Sequence, residues 1–454
     1  MELFKKILIA NRGEIAIRVI RACKELGIKT AVVYADVEKD ARHVQLADEA
    51  VCIGPASPAQ SYLHIPAIIS AADIVDAEAI HPGYGFLSEN QHFAEACATS
   101  GITFIGPTAD TIRIGGDKAK ARQTMKRKGI PVVPGSDGPV SSEEAALKTA
   151  KKIGFPVIVK ASAGGGGRGM RIVREEQELP QAFMMAQREA FAAFGNGELY
   201  VEKYLPSIRH IEVQILGDSK GNVVHLGERD CSVQRRHQKL IEESPSPIAT
   251  EKFRKRIGEY AVKAAKALKY RNAGTIEFIV DDEQNIYFME INTRIQVEHP
   301  VTEEVYGVDL VKEQIKIAAG LPLTIRQNQV KPAGHAIEVR INAEDPERFV
   351  PCPGKLSVFT LPGGPGVRVD TCAYTGWTVP PYYDSMIAKV IVHAKTREEA
   401  IVRMRRCLDE FHVEGIRTTI PFFRRIFQHP DFLKGSVNTS FVDRIMHQEK
   451  PDSD

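Results

Sequence analysis

From Glu290 to Glu298 polar or charged residues alternate with apolar or β-branched ones: Glu-Ile-Asn-Thr-Arg-Ile-Gln-Val-Glu. In an extended chain successive side chains point to opposite faces, so the even-numbered groups line one side. That side carries two carboxylates, two amides and a guanidinium. Alternation alone describes the wet face of a half-buried antiparallel strand. The preceding segment Gly274–Val280 adds a constraint, because it sets Glu277 among apolar neighbours and is followed by a turn-like Asp281 to Asn285. A hairpin tip at residues 283 and 284 places Glu277 opposite Glu290. Two carboxylates facing each other across a ladder repel unless something positive sits between them. Hard oxygen donors of this kind suit Mg²⁺ or Mn²⁺, which would also neutralise the phosphates of a nucleotide. The hairpin therefore reads as a metal–nucleotide site.

With 454 residues the chain has room for about three domains. A net charge of +2 gives no field that would draw nucleic acid or a membrane surface. The seven cysteines show no CxxC spacing, so a reducing cytoplasm is expected rather than a disulfide or zinc framework. No signal peptide or membrane span is read; the long uncharged stretch near 51–72 is broken by Pro55, Pro58 and Pro66.

The N-terminus reads as strand (Ile7–Ile9), turn (Asn11–Gly13), helix (Glu14–Leu26) and strand (Thr30–Tyr34), continuing as parallel α/β. Its first turn holds one glycine, not GxGxxG, which argues against a dinucleotide site. His81–Phe86 is a tight loop at a strand end. A second unit opens near Gly116-Asp117-Lys118 and passes through a Pro/Gly-rich linker. Strand Pro156–Lys160, the glycines Gly164–Gly167 and strand Arg171–Val173 follow. Glycines between two strands form a hairpin tip, not a Walker loop, and their N–H groups can close on phosphate as a lid. Leu199–Leu205 is a strand running to a hinge at Pro206, Ile211–Leu216 a further strand, and 251–270 a basic amphipathic helix with a solvated face. A helix spans Leu310–Ala319 with Asp309 as N-cap. A strand-rich third unit opens at Gly334–Ala343 and includes a helix near Arg397–Phe411.

The combination of Lys160–Met170, Glu202-Lys203, Glu228–Lys239 and Glu290–His299 resembles biotin carboxylase, of the ATP-grasp superfamily. Ala10–Ala16, His81–Glu89, Arg340–Pro346 and Pro380–Met386 extend the resemblance over about residues 3 to 445. Ala163 stands where the family usually has a further glycine.

The resemblance implies an α/β and α+β fold in three parts. These are a Rossmann-like N-domain (1–114), an ATP-grasp core (115–330) with a mobile lid at about 132–204, and a C-terminal mixed α/β domain (331–446), before a tail (447–454). It implies a ligase that converts ATP and bicarbonate to carboxyphosphate, whose CO₂ is captured by N1′ of biotin. Lys118 and Lys160 would neutralise ATP phosphates under the lid glycines Gly165, Gly166 and Gly167. Glu202, Lys203 and Leu205 would frame the adenine, His210 and Gln234 the ribose, and His237 would lie near the phosphates. Glu277, Glu290 and Asn292 would hold Mg²⁺ or Mn²⁺. Arg294, Gln296 and the Val297 backbone would hold bicarbonate, with Lys239 close by. Glu298 is the expected base and Arg340 the expected partner of the biotin ureido oxygen. Cys231 reads as a small buried residue in preference to half of a catalytic pair with Lys239.

No Met-Lys-Met motif is present, so biotin is expected on a separate carrier protein, with a carboxyltransferase as the further partner and acetyl-CoA carboxylase as the expected setting. A pyruvate or 2-oxoglutarate carboxylase subunit is the alternative. A homodimer is implied by the family. Carbamoyl-phosphate synthetase would need a duplicated core, and a regulatory module without turnover should have lost Glu277, Glu290 or Glu298.

Overall fold

The computed structural model describes residues 2–161, 170–194 and 197–448. Strands β1 (Lys6–Ile9), β2 (Lys29–Tyr34), β3 (Glu49–Cys52), β4 (Ala79–His81) and β5 (Thr103–Phe104) form a parallel sheet in the order β3-β2-β1-β4-β5. Strand periodicity divides β1 between two cores. Ile7 and Ile9 pack with Ala16, Val19 and Ile20 of helix Gly13–Glu25, while Leu8 packs with Ile68 and Phe93 of two later helices. Helices thus cover both faces, as the expected Rossmann-like unit requires.

Strands β6 (Val157–Ala161), β7 (Met170–Val173) and β8 (Leu199–Lys203) form a small antiparallel sheet in the order β7-β6-β8. Its apolar face, with Val157, Val159, Leu199 and Val201, is covered by helices Glu143–Ile153 and Leu179–Phe194. Lys160 pairs with Met170, so the two strands flank the glycine run as a hairpin. Gly165, Gly166, Gly167 and Arg168 lie outside the described residues.

The remaining strands are β9 (Ile208–Gly217), β10 (Val223–Arg235), β11 (Gln238–Ser244), β12 (Asn272–Asp281), β13 (Ile286–Asn292) and β14 (His335–Asn342), then β15 (Gly354–Lys355), β16 (Val358–Thr360), β17 (Val367–Thr371), β18 (Thr378–Val379), β19 (Met386–Ala394) and β20 (His412–Glu414). Eight of them make one antiparallel sheet, β13-β12-β9-β10-β11-β14-β19-β17. The boundary expected near residue 330 therefore falls between β11 and β14, which are hydrogen-bonded neighbours. Helix Glu251–Ala267 buries Phe253, Ile257 and Ala261 against this sheet, and helix Arg397–Glu410 covers its other end. Among the described residues no helix is long and apolar enough to cross a membrane.

Two details of the β12–β13 hairpin differ from the sequence reading. A tip at 283 and 284 would set Phe278 opposite Met289, but Phe278 faces Phe288. The register slips by one at Met289, and this irregularity brings Glu277 opposite Glu290. The pairing is the expected one, reached through a bulge. The alternating segment is also not a single strand, because β13 ends at Asn292. The Thr293 N–H leaves the ladder and donates to Glu89 Oε1 at 2.9 Å. Beyond it Ile295, Gln296 and Glu298 are all buried, so the alternation no longer separates an inside from an outside.

Candidate active site

A cavity of about 1560 Å³ opens between the large sheet and the small one, bordered by the loops after β1 and β4. Lys118, Lys160, Glu202, His210, Gln234, His237, Lys239, Glu277, Glu290, Asn292, Arg294, Gln296, Val297, Glu298 and Arg340 all line it. Lys203 and Leu205 do not. Alternation along β8 turns Tyr200 and Glu202 toward the cavity and Lys203 away from it. The Lys203 ammonium donates instead to the carbonyls of Gly154 (3.1 Å) and Phe155 (2.9 Å).

At the centre lies the ammonium of Lys239, from β11. It donates to Glu212 Oε2 (2.6 Å), Glu298 Oε1 (2.7 Å) and Glu277 Oε1 (2.9 Å). Burial works against a charged lysine here, but Glu212, Glu277 and Glu298 outweigh it and raise the ammonium well above its usual range. Glu298 has a second cation on its other oxygen, Arg340 Nη2 at 2.9 Å. Desolvation would raise the Glu298 carboxyl; Lys239 and Arg340 together hold it below its usual value. A buried carboxylate kept ionised at neutral pH can accept a proton from a bound acid. Its hydrogen-bonded partners are Lys239 and Arg340, while Arg294, four residues earlier, donates to Glu89.

Glu277 is saturated differently. Asn292 Nδ2 (2.6 Å), Gln296 Nε2 (2.8 Å) and Lys239 all donate to Oε1, and the His210 Nε2 lies 2.8 Å from Oε2. The histidine expected at a ribose is thus in contact with a carboxylate, and its proton is held more tightly than usual: burial opposes the charge and Glu277 outweighs it. Glu290 pairs with Lys118 at 2.8 Å. With the lysine side chain 74% exposed, that pair is screened and weak, so either member can exchange its partner at small cost. Lys160 rests against Glu202, which also receives Arg122. Burial and the cations Arg122 and Lys118 bring the Lys160 ammonium down to about 8, while the Glu202 carboxylate favours its charged form. His237 sits exposed at the β10–β11 turn with φ of 65°, and Gln234 makes one long contact, 3.5 Å to the Cys231 carbonyl.

Several members of the site were not singled out from sequence. Arg229 is fully buried and joins Glu212 (2.5 Å), Gln296 (2.7 Å), Gln214 (2.8 Å) and Thr302 (3.0 Å). Glu242 receives Arg340 Nε at 2.7 Å, and burial pushes its carboxyl up to about 7 despite that cation. Glu89 reaches across from the first sheet to Arg294 Nε at 3.0 Å. The available signal was charge inside apolar strands, as in Glu212-Val213-Gln214 and Glu228-Arg229-Asp230. Burial and Glu212 push the Cys231 thiol well up, leaving it protonated and inert.

The hard donors Glu277, Glu290 and Asn292 on adjacent strands suit a small divalent cation. Buried trios such as His210, Glu212 and Glu277 are already compensated by Lys239 and Arg229. Two antiparallel sheets closing on a cleft of lysines and carboxylates are the arrangement of an ATP-grasp ligase.

Comparison with known proteins narrows this further. Profiles described as biotin carboxylase N-terminal domain, carbamoyl-phosphate synthase L chain ATP-binding domain and biotin carboxylase C-terminal domain match residues 3–112, 117–326 and 338–444. Biotin carboxylase 1 of Bacillus subtilis is 57% identical over 97% of this chain and 98% of its own. A Campylobacter jejuni biotin carboxylase crystallised as a β,γ-ATP complex superimposes with a TM-score of 0.92 at 53% identity, covering 97% of this chain and 99% of that one. The biotin carboxylase domain dimer of Hydrogenobacter thermophilus 2-oxoglutarate carboxylase, with MgADP, ADP and bicarbonate, gives 0.91 at 52% identity with full coverage of both chains. The chain belongs to the biotin carboxylase family.

Proposed function

We propose that this chain carries out the first half-reaction of acetyl-CoA carboxylase, moving CO₂ from bicarbonate to N1′ of biotin on a separate carrier protein at the expense of ATP. The observation that carries the chemistry is the buried Glu298 held between Lys239 and Arg340. Bicarbonate is a poor nucleophile. Its proton passes to Glu298 as one of its oxygens attacks the γ-phosphorus, forming an O–P bond as the bond to ADP breaks. Arg294, Gln296 and the Val297 N–H hold the anion, and Lys118 and Lys160 disperse charge on the transferred phosphoryl group. Carboxyphosphate then splits to CO₂ and phosphate. Phosphate takes the N1′ proton, N1′ bonds to the CO₂ carbon, and Arg340 stabilises charge on the ureido oxygen. Glu277, Glu290 and Asn292 would hold Mg²⁺ or Mn²⁺, which neutralises nucleotide phosphate charge when bound. Glu202, which lines the cavity, frames the adenine, and His210 and Gln234 the ribose. The lid excludes water from carboxyphosphate.

ADP release that requires bicarbonate and is stimulated by free biotin tests this reading; ATP binding without such turnover would instead mark a regulatory module. The relative from 2-oxoglutarate carboxylase supports a second setting, a keto-acid carboxylase subunit. Identifying the biotinylated protein and the carboxyltransferase that copurify with the chain chooses between them. The dimeric relative likewise supports a homodimer here, tested by sedimentation.

A further inference from the structure

The segment from Gln296 to Glu298 has two consecutive carbonyls, each held by a buried side chain with no part in the reaction described above. The Gln296 carbonyl accepts from His299 Nδ1 at 2.8 Å. The Val297 carbonyl accepts from Lys389 Nζ at 2.8 Å. Both side chains are 0% exposed. A trans peptide directs its C=O and N–H oppositely, so fixing one fixes the other. The Gln296 carbonyl shares its peptide with the Val297 N–H, and the Val297 carbonyl shares its peptide with the Glu298 N–H. Among the described residues neither N–H donates to any acceptor. Val297 and Glu298 line the cavity beside the cations Lys239, Arg294 and Arg340. Two adjacent donors without acceptors, in cationic surroundings, are suited to an anion.

The two anchors come from different parts of the chain. His299 begins helix His299–Tyr306, directly after the segment it holds. Lys389 lies on β19 and also pairs with Glu14 Oε1 at 3.0 Å, and that oxygen accepts from Tyr84 Oη. Burial and the cations Lys389, Arg18 and Arg368 keep the His299 ring neutral. A neutral ring has one N–H, and a ring donating from Nδ1 leaves Nε2 bare. The Nε2 atom indeed has no hydrogen-bond partner.

We propose that His299 and Lys389 are positioning residues that set the two peptides flanking Val297, aiming the Val297 and Glu298 N–H groups at bicarbonate. The inference rests on the bicarbonate reading above and adds the Glu298 N–H to it.

Steady-state kinetics of bicarbonate-dependent ADP release with free biotin test the proposal. Losing one hydrogen bond of this kind should raise the KM for bicarbonate about three- to tenfold in His299→Leu. The KM for ATP should stay within about twofold. His299→Asn, whose amide nitrogen can replace Nδ1, should restore the wild-type bicarbonate KM. The double variant Lys389→Met with Glu14→Gln, which removes the cation and the carboxylate nearest to it together, should show the same selective rise. A bicarbonate KM unchanged in His299→Leu or in the double variant overturns the proposal, as does a parallel rise in both KM values. Should either variant fail to fold, nitrogen-15 shifts of His299 in the unaltered protein decide: a protonated Nδ1 supports the clamp and a bare Nδ1 overturns it. Wild-type protein without bicarbonate-dependent turnover would instead remove the functional reading itself.

Discussion

Replacing Lys239 by methionine keeps an unbranched stem and removes the one ammonium shared by Glu212, Glu277 and Glu298. At 2.7 Å from Glu298 Oε1, one such pair in a medium of effective dielectric about 20 is worth about 6 kcal/mol gross. That attraction favours the ionised carboxylate, so losing it moves the carboxyl up. Arg340 remains on the other oxygen at 2.9 Å and water can enter, so about half of that should survive. In the unaltered protein Glu298 titrates below the ordinary glutamate value of about 4.3 and gives no acid limb near neutrality. In Lys239→Met the acid limb should move upward toward neutrality. The assay is kcat/KM for bicarbonate in biotin-stimulated ADP release from pH 5 to 9, with bicarbonate corrected at each pH for its equilibrium with dissolved CO₂. Amplitude will fall as well, since Lys239 is close to the anion, so the diagnostic quantity is the position of the limb. A lower rate with an unshifted limb would refute the argument that Lys239 sets the proton affinity of Glu298.

Three further outcomes are expected. Glu298→Gln keeps shape but cannot take a proton, and turnover should fall about 10²–10⁴-fold while ATP affinity, read by calorimetry, changes little. Glu290→Gln should raise the Mg²⁺ concentration needed for half-maximal turnover without lowering the melting temperature, because among the described residues it pairs only with the exposed Lys118. The third concerns Glu243, where burial is outweighed by Arg397 (2.7 Å) and His335 (2.8 Å), so that its carboxyl is held down at about 2. A folded value below the unfolded one gives stability that is full above about pH 4.5 and lost as pH falls toward 2. The melting temperatures of the unaltered protein and Arg397→Met should therefore converge as pH falls from 5 to 3.

The facing carboxylates of the β12–β13 hairpin were legible because charge within an apolar strand is costly and so informative. Glu277 met that test, and its partner strand lay a short turn away. The bulge at Met289 was not legible: it sets the buried Phe278 against the buried Phe288 and leaves Met289 outside, a packing choice that strand alternation alone does not specify. The end of β13 at Asn292 was hidden for a different reason. Its cause is Glu89, roughly two hundred residues earlier, which takes the Thr293 N–H. Motif resemblance gathered Lys239, Arg340 and Glu298 into one site, and both cations contact Glu298. It did not supply Arg229 or Glu242, whose importance lies in whom they touch across neighbouring strands. Lys203 fell on the far side of β8 because adjacency in a motif carries no information about which way a side chain points.

The continuous eight-stranded sheet bears on how this chain can be divided or inherited. A cut near residue 330 would strip β11 of its neighbour and leave Ile241 to Ser244 with one bare flank, while β14 would lose the matching one. Each fragment would carry an open edge of the kind that recruits other chains. Glu298 and Arg340 lie on opposite sides of that cut, so neither fragment holds a complete reaction centre. The two pieces would be expected to precipitate when made apart and to rescue each other when made together. The last quarter or so of the chain is thus inherited as the other half of a seam, and recombination that exchanged it alone would have to match an edge as well as a sequence.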